Sequence, residues 1–330
     1  MLWTVRKLSP SVMHLGMGLI CGGKIKDLIE AGFDFTVYLA DWHSWINNKL
    51  GGVMESIRLV GEYFKHCFTA IGVDPDKVKY MWASELAQDS KYWEKVIQVG
   101  KHATLSRVKR TLPIMGRSFS IRDVDAASLF YPCMQVADIF YLDLDVACAG
   151  IDQRKAHMLA REISSKLGAK KPISLHTHLL MGLEGPSHQP GGRFDENEKL
   201  NMQITTKMSK SKPSKCIFIH DSPEEIREKI RNAYCPPRIL ENNPIIELVE
   251  YVVFPAKGEL TIERSNKYGG TVTFTHLGEL KEAYFKGTIH PLDLKVNVAE
   301  ALVEVLSRVR EYFKHHENIL EEVKKIIVTR

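Results

Sequence analysis

Short apolar runs alternate with helical stripes along the first two-thirds of the chain. Residues 35–40 form an apolar, β-rich run that ends at Asp41 and has helical patterns on both sides. The rhythm returns at 144–148 before a helix expected at about 153–167, at 173–175, and at 215–219 before a helix expected at about 223–233. Strands that alternate with helices predict a parallel sheet. In such sheets ligands bind beyond the carboxyl ends of the strands, so the residues that directly follow each strand are where chemistry is expected.

Helix starts are marked by their caps. Asp152 stands where an N-cap is wanted, ahead of Ala156, Leu159, Ile163 and Leu167 on one face. Ser222 and Glu225 fit a capping box with Pro223 at the first helical position, and Ile226 and Ile230 begin the apolar face. After Pro236 and Pro237 the strand–helix rhythm stops. Helical patterns at 244–253 and 297–313, with a turn at 268–270, predict a separate, mainly helical domain. Residues 183–206, rich in Gly, Pro, Asn and Glu, predict a long loop. The expected fold is therefore α/β, with a second, helical domain behind it.

Composition narrows the class. The chain has 330 residues, 44% hydrophobic and 26% charged, which fits a soluble globular protein of about two domains. No apolar run approaches the roughly 20 residues of a membrane-spanning helix, and residues 11–25 are too glycine-rich for a signal-peptide core, so an intracellular, soluble protein is expected. Six cysteines lie far apart without a C-x-x-C pair, so they read as buried thiols. His176 and His178 with Cys216 or His220 are weak metal-ligand candidates, and no metal site is expected. Residues 221–330 hold 16 basic against 18 acidic side chains, which leaves the surplus behind the net charge of +5 in the first 220 residues. That surplus suits an anionic ligand or nucleic acid.

Four segments carry candidate chemistry. His14, Gly16 and Gly18 open an apparent helix, where glycine admits close backbone approach and a helix N-terminus attracts phosphate. Gly18 to Lys24 also matches a Walker loop up to its lysine, but Ile25 replaces the metal-binding hydroxyl. Lys207-Met208-Ser209-Lys210-Ser211 places two ammonium groups and two hydroxyls on one loop. Such a loop can close over a triphosphate and stabilise displaced phosphate charge. Tyr131, Gln135 and Asp138 fall on one helix face in an otherwise apolar stretch and need polar partners. Gly150, Asp152, Gln153 and Arg154 sit at a strand end and helix start, where backbone N–H groups favour anions.

These pieces, in this order, resemble the archaeal and eukaryotic branch of the class I tyrosyl-tRNA synthetases. The matching strings are HLG at 14–16, LADWHSWINNK at 39–49, YPCMQVAD at 131–138, AGIDQRKAHMLARE at 149–162, KMSKS at 207–211, DSPEEIREKIRNAYCP at 221–236 and HPLDLK at 290–295, and they span nearly the whole chain. The resemblance implies a Rossmann-like catalytic domain over 1–220, with an inserted helical connecting segment at about 88–130, and an anticodon-binding domain over 221–330. It implies that Tyr131, Gln135, Asp138 and Gln153 bind tyrosine, with Asp138 accepting the substrate phenol. His14, Gly16, Gly150, Asp152 and the loop residues Lys207, Met208, Ser209, Lys210 and Ser211 would hold ATP, with His14, Lys207 and Lys210 as the catalytic groups.

Arg110 and Arg154 would meet the acceptor stem, and Tyr268, His290 and Asp293 the anticodon. The implied reaction uses Mg²⁺-ATP, L-tyrosine and tRNA, needs no tightly bound cofactor, and belongs to a cytoplasmic homodimer. A tryptophan ligase of the same fold is the nearest alternative, and Asp138 argues against it because indole has no hydroxyl. A tRNA-binding relative without catalysis is the other. Two departures stand out: Met17 replaces the second histidine of the HIGH signature, and Thr4 falls where the family carries a substrate-binding tyrosine. The expectation is a late start to the chain or a pocket with one wall rebuilt.

Overall fold

The structure, a computed structural model, describes residues 2–5, 12–116, 124–186 and 193–328. Parts of three expected features (the N-terminal slot at 6–11, the connecting segment at 117–123 and the loop at 187–192) lie outside the described residues. Five parallel strands form the central sheet: β1 (Leu2–Val5), β2 (Phe35–Leu39), β3 (Val78–Trp82), β4 (Val146–Gly150) and β5 (Ile173–Thr177), in the order β3-β2-β1-β4-β5. The α/β expectation holds. β2 and β4 are buried along almost their whole length, which is why they read as unbroken apolar runs.

The helices of the first half are α1 (Gly22–Glu30), α2 (Asp41–Ile46), α3 (Met54–Ala70), α4 (Ala83–Leu86), α5 (Ser90–His102), α6 (Leu105–Thr111), α7 (Ala126–Tyr141) and α8 (Arg154–Ile163). A π-helical stretch over Gly16–Cys21 leads into α1. Those of the second half are α9 (Glu198–Thr206), α10 (Pro223–Arg231), α11 (Pro244–Leu248), α12 (Phe254–Lys257), α13 (Leu277–Lys286), α14 (Pro291–Val305), α15 (Ser307–Lys314) and α16 (Glu317–Val328). The hairpin of β6 (Leu260–Ile262) and β7 (Val272–Phe274) interrupts them. Gly269 and Gly270 turn that hairpin at φ +101° and +69°, a region costly for any residue with a Cβ. Helix α10 starts with the expected capping box: Ser222 and Glu225 each accept from the other's backbone N–H. Among the described residues no helix is long and apolar enough to cross a membrane.

Three expectations need correction. Residues 215–219 do not join the sheet: after a 3₁₀ turn at Pro213–Lys215 they run antiparallel to residues 13–15, with Leu15 N–H donating to Ile217 O and Ile219 N–H to Met13 O, both at 3.0 Å. Their apolar character comes from core burial of Cys216, Ile217 and Ile219. The 183–206 stretch ends in α9, because the Asn197 side chain accepts from Leu200 N–H and caps it. Asp152 is not an N-cap, since a 3₁₀ turn over Ile151–Gln153 precedes α8 and the carboxylate turns elsewhere. The Walker-like glycines lie inside helices: a Cβ at Gly18 would come 2.6 Å from Ile219 and one at Gly22 2.0 Å from Ile71, so they serve close packing, and Lys24 pairs with Asp27 at 2.6 Å.

The C-terminal helices pack into the same apolar cluster as the α/β part. Tyr63 on α3 lies 5.8 Å, ring to ring, from Phe313 on α15, and His66 shares a 2.9 Å hydrogen bond with the Tyr312 hydroxyl. This docking places α3 beneath both the 13–15 segment and the C-terminal helices.

Candidate active site

Tyr131, Gln135 and Asp138 lie on α7, and all three are buried, as are seven neighbours on the same helix. A buried carboxylate is tolerable only with donors around it. Asp138, 0% exposed, has them: Oδ1 accepts from the Tyr38 hydroxyl at 3.0 Å and the Tyr92 hydroxyl at 2.8 Å. The His43 Nε2 atom lies 3.3 Å from Oδ2, outside hydrogen-bond alignment. His43 also stands edge-on to the Tyr131 ring, with centroids 5.1 Å apart. Sequence reasoning missed Tyr38, His43 and Tyr92. His43 was visible in the string at 39–49, and Tyr38 lies within an apolar run, but nothing local ties either to Asp138.

Gln135 reaches the second motif. Its Nε2 donates to Gln153 Oε1 at 3.4 Å, and Gln153 in turn donates to Ile114 O at 3.1 Å. Gln135 Oε1 is buried without a hydrogen-bond partner, an acceptor suited to a small ligand's ammonium group. One residue before Gln153, Asp152 Oδ2 accepts from Lys207 Nζ at 2.6 Å. Gly150 permits this turn, because a Cβ there would come 2.8 Å from Asp152 Oδ1 and 3.1 Å from Leu179.

The loop of Lys207 to Ser211 is tied at both ends to the segment after β5. Met208 N–H donates to Leu180 O, Gly182 N–H to Thr206 O and Leu183 N–H to Lys215 O. Between those ties the side chains have their own partners. Ser209 and Ser211 share a 2.9 Å hydrogen bond, and Lys210 Nζ lies 4.9 Å from the centre of the Phe64 ring. Burial pulls the Lys210 pKa down to about 8, with Cys216 and Cys67 acting in the opposite sense. His14 pairs with Phe218 in an isolated antiparallel bridge, and Gly16 follows so tightly that a Cβ would meet the His14 ring at 3.2 Å. The loop's return strand therefore rests on the His14 segment.

The expected RNA-facing residues fall into two separate groups. Arg110 and Arg154 are exposed and line one cleft of about 490 Å³ with Arg107, Lys155 and Arg161. Arg107 and Lys155 are engaged there, by Glu162 and by Asp195 and Glu196, respectively. Tyr268 is 63% exposed beside the hairpin turn, with Lys267 Nζ 5.6 Å from its ring centre. His290 caps α14 by accepting from Leu292 N–H at 3.2 Å, and Asp293 lies in that helix's first turn. The two histidines weighed as metal ligands have other partners: His176 stacks on His157, while His178 stacks on Tyr251 and bonds Glu247.

Comparison with known proteins identifies the family. Residues 9–188 and 200–307 match the family described as tRNA synthetases class I (W and Y). A tyrosine–tRNA ligase of Thermococcus gammatolerans is 47% identical over 333 residues, covering 96% of this chain and 88% of the relative. One from Saccharolobus solfataricus is 45% identical over 318 residues, covering 96% and 85%. The solved tyrosyl-tRNA synthetase of Pyrococcus horikoshii, complexed with L-tyrosine, superposes with a TM-score of 0.89 at 45% identity, covering 98% of this chain and 90% of that one. The chain belongs to the class I tyrosyl-tRNA synthetases.

Proposed function

We propose that the two adjacent residues Asp152 and Gln153 are the junction of this enzyme's active site. Gln153 contacts Gln135 on the tyrosine-binding helix, and Asp152 contacts Lys207 of the phosphate loop. That single linkage supports one reaction centre, with an amino acid on one side and a nucleotide on the other. The reaction is ligation of tyrosine to tRNA, with ATP consumed.

In this reading Tyr131, Gln135 and Gln153 hold the ammonium and carboxylate end of tyrosine, and Asp138 accepts a hydrogen bond from its phenol. The carboxylate oxygen attacks the α-phosphorus, the bond to the bridging oxygen breaks, and pyrophosphate leaves, which yields tyrosyl-adenylate. The terminal ribose hydroxyl of tRNA then attacks the activated carbonyl and AMP departs. No protein nucleophile is required, so rate comes from positioning and charge stabilisation.

His14 and Gly16 face the phosphates, Gly150 and Asp152 the ribose. Lys207 and Lys210, with Met208, Ser209 and Ser211 shaping their loop, stabilise the departing pyrophosphate. Mg²⁺ enters with the ATP phosphates, since it is usually held by phosphate oxygens and one or two carboxylates. Arg110 and Arg154 meet the acceptor stem, Tyr268, His290 and Asp293 the anticodon. Residues 1–220 form the catalytic part and 221–330 the anticodon-reading part of a cytoplasmic homodimer. Pyrophosphate exchange measured with each of the twenty amino acids tests the reading. Exchange with tyrosine is expected, and exchange with tryptophan in place of tyrosine, or tRNA binding without exchange, overturns it.

A further inference from the structure

Two tyrosine hydroxyls meet at one oxygen of Asp138, and they reach it from different layers of the fold. Tyr92 comes from α5 and is packed edge-on against Trp93 and Tyr141, with centroids at 5.6 and 5.5 Å. It is built into the helical layer, where its hydroxyl donates to Asp138 at 2.8 Å. Tyr38 comes from the penultimate position of β2, near the carboxyl end of the strand, where ligands of parallel sheets bind. Its ring is edge-on to His43 at 6.1 Å, and His43 is edge-on to Tyr131 at 5.1 Å. Tyr38 thus ends an aromatic row that runs from Asp138 to Tyr131, the length of the expected substrate site. In the sheet register Tyr38 pairs with Thr4 of β1, the position where the sequence lacks the expected tyrosine.

We infer that Tyr38 is a specificity-determining residue of this enzyme, a phenol supplied from the second strand that reads the substrate's hydroxyl together with Asp138. A phenol hydroxyl both donates and accepts. The substrate hydroxyl donates to the Asp138 carboxylate and accepts from the Tyr38 hydroxyl, which gives up its own bond to Asp138 in exchange; phenylalanine offers neither group a hydrogen bond, and the Tyr38–Asp138 bond stays closed. The rebuilt wall expected from Thr4 is then a relocation of the hydroxyl to the neighbouring strand. This inference rests on the assignment of Asp138 to the substrate phenol.

The test is calorimetric binding of L-tyrosine and, by competition, L-phenylalanine to the full chain and to Tyr38→Phe, Tyr92→Phe and Asp138→Ala, each with its melting temperature. Tyr38→Phe is expected to weaken tyrosine about tenfold and leave phenylalanine unchanged, the size of one hydrogen bond removed from a bound ligand. Tyr92→Phe, which removes the donor that the helical layer brings to the same oxygen, is expected to change the tyrosine-to-phenylalanine ratio less. If Asp138→Ala loses discrimination while Tyr38→Phe binds tyrosine as tightly as the unaltered chain or more tightly, Tyr38 only packs or competes and the inference falls. Equal weakening of both amino acids by Tyr38→Phe also overturns it, as a purely structural effect. Should Asp138→Ala keep its discrimination, the parent assignment fails instead.

Discussion

Lys207 of the 207–211 loop is held by Asp152 through a 2.6 Å ion pair in which both side chains are largely buried. In the proposed reaction its ammonium exchanges this carboxylate for phosphate oxygens. A partner exchanged during the reaction favours the transition state over the ground state only if the phosphate gains charge as it departs, as pyrophosphate does.

Lys207→Ala should lower the rate of tyrosine-dependent pyrophosphate exchange by about 10²–10³, the usual size for one transition-state donor, with less than about a twofold change in tyrosine binding. Stopped-flow adenylate formation beside equilibrium tyrosine binding separates the two. Equal loss in both would mean that Lys207 chiefly supports the ground-state structure.

Asp138→Ala removes the acceptor of two buried hydroxyls. Each buried hydrogen bond to this carboxylate is worth about 1.5–3 kcal/mol, so the variant should melt several degrees lower. Discrimination against phenylalanine should also fall, from the roughly 10⁴–10⁵ of a site that reads a hydroxyl toward the 10–200-fold of an apolar pocket. Exchange assays with both amino acids, alongside thermal melts, check this. A variant that melts normally would show that Tyr38 and Tyr92 have other acceptors.

Much of this architecture was legible because its signals are local. Capping residues such as Ser222, and apolar runs such as Phe35–Leu39, are determined within a few positions. Gly150 and Asp152 also stood out, through their place after a strand. What the sequence hid depends on partners far along the chain. Asp152 resembled a cap because the local pattern cannot show that Lys207, 55 residues on, claims its carboxylate. Residues 215–219 looked like a sheet strand because apolar burial against residues 13–15 leaves the same pattern as burial in a sheet. Val78–Trp82 escaped notice because four of its five residues are incompletely buried at the sheet edge. The grouping of Tyr38, His43 and Tyr92 around Asp138 spans 100 positions and carries no periodic signature.

Arg154 and Arg110 share an exposed basic cleft that Arg107 and Lys155 line in paired form. Arg154→Glu should therefore raise KM for tRNA in aminoacylation and leave pyrophosphate exchange within about twofold. Each phosphate that the protein no longer neutralises reduces the steepness of log affinity against log salt by close to one. Filter binding of tRNA across a salt series reads that slope. An unchanged slope would assign Arg154 to neighbours such as His176, whose pKa its charge helps to depress.

His220 follows the return strand of the 207–211 loop and is enclosed by the rings of Phe218, Tyr63 and Phe313 at 6.2, 6.5 and 6.3 Å. Its Nε2 is buried without a hydrogen-bond partner, and burial, followed by the charge of Lys324, lowers its pKa from 6.5 to about 4. Between those two values the unfolded chain binds a proton that the folded chain refuses. Stability from keeping this ring neutral is thus fully present above pH 6.5 and is lost as pH falls toward 4. His220→Phe keeps the aromatic contacts and removes the titration. Its melting temperature should fall less between pH 7 and pH 5 than that of the unaltered chain. His176, also lowered to about 4 chiefly by burial, and His66, lowered by burial as well, are left in place and contribute to the acid loss that remains. Parallel melting curves for the two proteins would show that His220 does not carry the acid sensitivity.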